Sequence, residues 1–181
     1  MSTRPKVVVL SGGSGCGKTT LCTRVIALAR AQGFELGGIL TPPRLDQGLK
    51  VGLDVEDVRT GRRRPLAELV GITDGPATGR WHFHAGALAW GTSVLRSATP
   101  CDLLVIDELG PLELIRGQGW TIALDVLKTG AYRLALVNVR PALLSRFQEQ
   151  LEEVESLIMA VTRANRDALP EQVLDLLGTA Q

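Results

Sequence analysis

The residues Gly12-Gly13-Ser14-Gly15-Cys16-Gly17-Lys18-Thr19-Thr20 have types and spacing suited to gripping a chain of phosphates. Glycines at 12, 13, 15 and 17 are expected to let the backbone turn with positive φ, so that successive N–H groups converge on one anion. Ser14, Cys16 and Thr20 contribute amides at positions where the side chain is free to vary. The helix expected from Lys18 adds its own unpaired N–H groups and the positive end of its dipole. Lys18 can then reach the β- and γ-phosphates, and the Thr19 hydroxyl can serve as a ligand of Mg²⁺. From Gly12 to Thr19 the order of residue types is the phosphate-loop pattern GxxxxGK[ST] at every defined position.

A second group complements the first. Leu103-Leu104-Val105-Ile106 is an apolar run closed by Asp107 and Glu108. Ligands of open α/β sheets bind beyond the C-terminal ends of parallel strands, so Asp107 is expected opposite the loop, holding Mg²⁺. Glu108, one residue on, is placed to orient or deprotonate the attacking water. Lys18 and Glu108 are thus the expected catalytic pair, with Thr19 and Asp107 the expected metal ligands. Asp107-Glu108-Leu109-Gly110 also fits a DxxG element, which makes Gly110 a candidate sensor of the γ-phosphate. A guanine-specific NKxD element is missing; the nearest stretch, Thr162-Arg163-Ala164-Asn165, ends in an amide, so loose base choice is expected.

The elements needed to position these groups follow from periodicity. Val7-Val8-Val9-Leu10 reads as a buried strand, and Leu21, Val25 and Leu28 mark one face of a helix over 18–31. A second strand is expected over 37–41. In 50–56, Val51, Leu53 and Val55 alternate with charged residues, which predicts a half-exposed antiparallel strand and a β-hairpin excursion over about 36–68. Buried strands are then expected over 102–107 and 132–139, a final strand over 156–161 and a short one at 81–84. Helices are expected over 85–98, over 118–128, from Pro141, and behind an Asp167 cap. Alternating buried strands and amphipathic helices imply an α/β fold, mainly a parallel sheet with helices on both faces, in a single domain over 1–181.

The 181 residues carry a net charge of +1, so nothing draws the chain to nucleic acid or an anionic membrane. Three scattered cysteines suit a reducing cytoplasm, and the short lead into the first strand leaves no room for a signal peptide. Arg59, Arg62, Arg63 and Arg64 form a charge run that serves either as a phosphate clamp or as a solvated hairpin tip. His82 and His84 have H-x-H spacing, without further metal ligands nearby in sequence. Trp81, Trp90 and Trp120 read as packing residues, and Glu113 as either catalytic or structural.

Taken with the phosphate loop, three further stretches carry a resemblance: GGILTPPRLDQGLKVGLDV over 37–55, DELGPLEL over 107–114 and VTRANRDALP over 161–170. In this order they resemble the THEP-type nucleoside-triphosphatases. The resemblance implies a phosphate-loop fold related to nucleotide kinases and slow, Mg²⁺-dependent hydrolysis of several nucleoside triphosphates. It also implies that Arg163 and Asn165 lie near the base and that Arg44 and Lys50 are carried over as basic residues near the phosphates. Pro111 replaces the lysine of the family's DEIGKME run, and Pro42-Pro43-Arg44 stands where the family has T-x-E-V-R. Two alternatives use the same site: a kinase of nucleotides or small molecules, and a nucleotide-binding switch without enzymatic turnover.

Overall fold

The computed structural model describes residues 6–178. Residues 1–5, read above as a short lead-in, lie outside them. The strands and helices in chain order are β1 (Val7–Ser11), α1 (Lys18–Ala31), β2 (Leu36–Leu40), β3 (Pro43–Asp46), β4 (Leu49–Asp57), β5 (Arg63–Glu68), β6 (Ala77–Thr78) and β7 (Trp81–Phe83). They continue as α2 (Ala85–Arg96), β8 (Cys101–Leu109), α3 (Pro111–Leu114), α4 (Ile122–Thr129), β9 (Tyr132–Val139), α5 (Leu144–Gln150), β10 (Ser156–Ala160) and α6 (Leu169–Leu177).

All the strands join one ten-stranded sheet in the order β10-β1-β9-β8-β2-β4-β5-β7-β6, with β3 hydrogen-bonded to β4 off this path. From β10 to β2 every pairing is parallel. Of these, β1, β9, β8 and β2 are apolar runs covered on both faces, whereas the edge strand β10 is largely exposed. Val7, Val9, Leu104, Ile106, Ala135 and Val137 pack towards α2, α4 and α5, through Leu95, Leu127 and Phe147. The alternate residues Val8, Leu10, Leu103, Val105, Leu134 and Leu136 pack towards α1 and α6, through Leu21, Val25, Val173 and Leu177. A strand's period of two sends neighbouring side chains to opposite faces, which is why unbroken apolar runs signal burial on both sides.

Beyond β2 the sheet turns antiparallel. The expected excursion is real and longer than its sequence boundaries. It takes in β6 and β7 and runs through Phe83. Only two residue pairs, Ile39 with Asp57 and Leu40 with Glu56, join β4 to β2. Arg59 reinforces that seam, donating to the carbonyls of Leu36, Ser97, Ala98 and Pro100.

Three helix starts depart from expectation. The helix expected from Pro141 opens with a 3-10 turn over Pro141–Leu143, and α5 begins at Leu144. α4 begins at Ile122 rather than 118, because Trp120 N–H donates to Glu113 and Gly119 holds a positive φ of 66°. Asp167 does not cap α6: its carboxylate faces Arg24 of α1 at 2.8 Å, and α6 starts after Ala168 without a side-chain cap. No helix among the described residues is long and apolar enough to cross a membrane.

Candidate functional site

The loop between β1 and α1 lies at the C-terminal edge of the parallel strands. Gly15 and Gly17 have φ of 74° and 105°, in the region that favours glycine, whereas Gly12 and Gly13 do not. Gly12 is needed for another reason: a Cβ there would overlap the carbonyl oxygen of Val161, just beyond β10. A Cβ on Gly17 would stand 2.7 Å from Cδ of Arg166. The loop therefore rests on the β10–α6 segment. α1 has no side-chain cap and no acid in its first turn, so its leading N–H groups remain available to an anion. Lys18 Nζ donates to the carbonyls of Gly12 at 2.7 Å and Gly13 at 3.0 Å, inside its own loop.

Thr19 Oγ1 donates to Asp107 Oδ1 at 3.3 Å, which joins loop and acid across 88 residues of sequence. Asp107 is almost fully buried, and its Oδ2 accepts Thr41 N–H at 2.9 Å and Thr41 Oγ1 at 3.1 Å. Asn138 Nδ2 donates to Oδ1, and Cys22 Sγ donates to Asn138 Oδ1 at 3.5 Å. Burial pushes the Asp107 carboxyl pKa up, while the Thr41 N–H bond, by favouring the charged form, pulls it back. Thr19 and Asp107 together present hard oxygens of the kind Mg²⁺ takes, and Mg²⁺ draws on few protein ligands when phosphate oxygens complete its shell.

In a regular strand Asp107 and Glu108 would face opposite sides of the sheet. β8 instead carries a bulge. Ile106 pairs with Val137 and Leu109 with Val139, so Asp107 and Glu108 together oppose Asn138 alone. Glu108 has a φ of 84°, in the left-handed region, which typically costs about 1–3 kcal/mol for a residue other than glycine. The bulge re-aims Glu108, and both acids line the same cavity. Arg140 holds the carboxylate there: Nε and Nη2 donate to Glu108 Oε1 at 2.9 and 2.6 Å. Behind it, Glu113 resolves to a structural role. It is buried and accepts the N–H groups of Gly110 and Trp120, each at 3.0 Å, fixing the turn after β8.

The other candidates divide clearly. Lys50 places its ammonium 4.9 Å from the Trp81 ring centroid, and desolvation lowers its pKa against the opposing pull of the Glu108 charge. Arg44 is instead paired with Glu68 and, at 3.5 Å, with Asp54. Arg63 pairs with Glu56 at 2.6 Å, Arg64 covers Trp90, and Arg59 is spent on the seam. His84 lies beyond the end of β7, with Nε2 3.3 Å from Glu68 Oε1. Asn165 shapes the β10–α6 segment: its Oδ1 accepts Thr162 N–H at 2.8 Å and its Nδ2 donates to Ala160 O at 2.8 Å. Arg163 is exposed on that same segment.

Sequence reasoning missed Thr41, Asn138 and Arg140. Each had a signal: Thr41 and Arg140 directly follow parallel strands, the position that picked out Asp107, and Asn138 is a polar residue inside a buried run. A cavity of about 410 Å³ was also missed; it runs from Ser14, Asp107 and Glu108 to Leu53, Leu66, Phe83 and Leu88.

The profile of the NTPase family matches residues 7–174. This chain belongs to the NTPase family. It is 33% identical over 170 residues to nucleoside-triphosphatase THEP1 of Methanosarcina acetivorans, covering 92% of this chain and 93% of that one. THEP1 of Thermofilum pendens is 34% identical over 170 residues, covering 93% of each. Among solved structures, the human cancer-related nucleoside triphosphatase superposes with a TM-score of 0.74 at 23% identity, over 97% of this chain and 99% of that one. THEP1 of Aquifex aeolicus superposes with a TM-score of 0.67 at 18% identity, over 95% and 99%. These two likenesses show a shared fold, an open sheet covered by helices.

Proposed function

We propose that this chain is a Mg²⁺-dependent nucleoside-triphosphatase, acting as a single domain and releasing phosphate from several nucleoside triphosphates. The observation that carries the reading is the Thr19–Asp107 bond at 3.3 Å, which joins the anion-binding loop to the acid strand at one point. Naming of the relatives as nucleoside-triphosphatases supports the same activity here.

In this reading the amides of residues 12–20 bind the β- and γ-phosphates, and Lys18 leaves its loop carbonyls to pair with them. Thr19 and Asp107 hold Mg²⁺, which when bound offsets the negative charge of the phosphates. Glu108 accepts the proton of the attacking water. Arg140, released from Glu108, supplies positive charge beside the transferring phosphoryl group. Gly110 N–H is already taken by Glu113, so a sensing role for Gly110 requires that bond to open. Base contacts fall to Arg163 and to the segment that Asn165 shapes; neither offers a paired donor–acceptor edge for one base, in keeping with broad base choice. Arg44 is left out of the phosphate contacts, and Lys50 is kept near them. The three free cysteines suit a cytoplasmic setting.

The test is phosphate release from ATP, GTP, CTP and UTP, with and without Mg²⁺, by the parent and by Glu108→Gln. The parent should release phosphate only with the metal, and the variant should lose about 10²–10⁴ in turnover while binding nucleotide normally. A variant that turns over at the parental rate would remove Glu108 from the mechanism.

A further inference from the structure

Hydrolysis needs only a water beside Glu108, yet the cavity reaching Glu108 encloses about 410 Å³. That volume falls in the range of small-molecule sites. Its walls are mixed, with Thr41, Asp107 and Glu113 among the polar residues, and the apolar part comes from both parts of the fold: Leu53, Leu66 and Phe83 from the antiparallel strands and their neighbours, Leu88 from α2 and Trp120 from the turn before α4. Trp81 adds a half-buried ring. Ser14 and Arg140 line the chamber's end next to the phosphate loop, and Leu53, Leu66 and Phe83 line it on the β2 side of Asp107, away from the β10–α6 segment. A triphosphate gripped by residues 12–20 would thus bring its terminal phosphate to the first end and leave the second open. At the polar end stand Glu108, Arg140 and Ser14; Thr78 and Arg80 also line the chamber.

We infer that this chamber binds a small ring-bearing alcohol whose hydroxyl takes the γ-phosphoryl group in place of water, an inference that rests on the nucleotide site proposed above. The alcohol oxygen forms a bond to the γ-phosphorus. The bond from that phosphorus to the bridging oxygen breaks, and its electron pair leaves with the nucleoside diphosphate. The hydroxyl proton passes to the Glu108 carboxylate, and Arg140 and Arg80 accompany the new phosphate ester. Aromatic walls give the ring its stacking surface, and water serves as acceptor when the alcohol is absent.

The experiment gives the full chain γ-labelled ATP, Mg²⁺ and either benzyl alcohol or 2-phenylethanol, and separates phosphate ester from inorganic phosphate. Ester should exceed the share set by the ratio of alcohol to water by about a hundredfold, because a bound acceptor gains effective concentration. Thr78→Phe, which fills the chamber away from the acids, should cut the ester share about tenfold and leave phosphate release unchanged. That retained release also reports that the variant is folded. Phosphate without excess ester from either alcohol, or an ester share indifferent to Thr78→Phe, overturns this inference alone. Neither product from the parent overturns the hydrolase reading and this inference with it.

Discussion

The two halves of the sheet use their charged residues in opposite ways. In the parallel half, Thr19, Thr41 and Asn138 converge on a single carboxylate, Asp107, and Arg140 converges on the next, Glu108. In the antiparallel half the arginines are paired off locally: Arg44 with Glu68 and Asp54, Arg63 with Glu56, Arg59 with carbonyls of the seam. One half concentrates polar groups where chemistry needs them. The other spends them on holding a wall in place. Charge in a sequence is therefore a poor guide to function until its partners are known.

The contrast can be broken or sharpened in several ways beyond the Glu108→Gln test. The largest further effect is expected at Lys18→Ala. Loss of a charge-assisted contact of roughly 1.5–3 kcal/mol should weaken nucleotide binding or turnover by about ten- to over a hundredfold, with thermal stability little changed. Asn138→Leu lies where fold and site meet. It removes a buried donor to Asp107 and should lower the unfolding free energy by about 1–3 kcal/mol, as read from denaturant titration, together with a fall in Mg²⁺-dependent turnover. Arg59→Ala should cost about 1–2 kcal/mol of stability and leave turnover at the parental value. Arg44→Ala should behave in the same way, and a drop in its turnover at constant stability would return Arg44 to the phosphate site.

The last effect is a slope at alkaline pH. Burial pushes the Cys101 thiol from its ordinary 9.0 to about 11. The unfolded chain ionises first, so the fold loses stability as pH rises through this interval and keeps it below. Tyr132, whose phenol burial also pushes up, adds to the same loss above about pH 10. Denaturant midpoints measured across the alkaline interval between the thiol's ordinary 9.0 and about 11 should show a shallower decline in Cys101→Ala than in the parent.

How legible each part was in the sequence depends on how far apart its makers lie. Residues 12–20 act through their own backbone, so the loop could be read in one stretch, and the apolar run before Asp107 announced a buried strand end. The mainly parallel sheet, the helices on both faces and the existence of the excursion followed from the same periodicities, but the order of the strands did not. Glu108 was found by adjacency, but the bulge that turns it was not visible, because it depends on register with Val137 and Val139. Asp167 looked like a helix cap until Arg24, 143 residues away, took its carboxylate. The chamber was invisible for the same reason: its walls are gathered from residues between Ser14 and Arg140 that share no local pattern.

The overlap that a Cβ on Gly12 would make with the carbonyl oxygen of Val161 has a consequence for how the loop is held. β1 sits between β9 and β10 in the sheet, and its outer flank is covered only when β10 docks. The loop after β1 thus leans on the segment that follows β10 as well as on the central strands. A disturbance that loosens β10 would reach Gly12 and Gly17 without altering either residue.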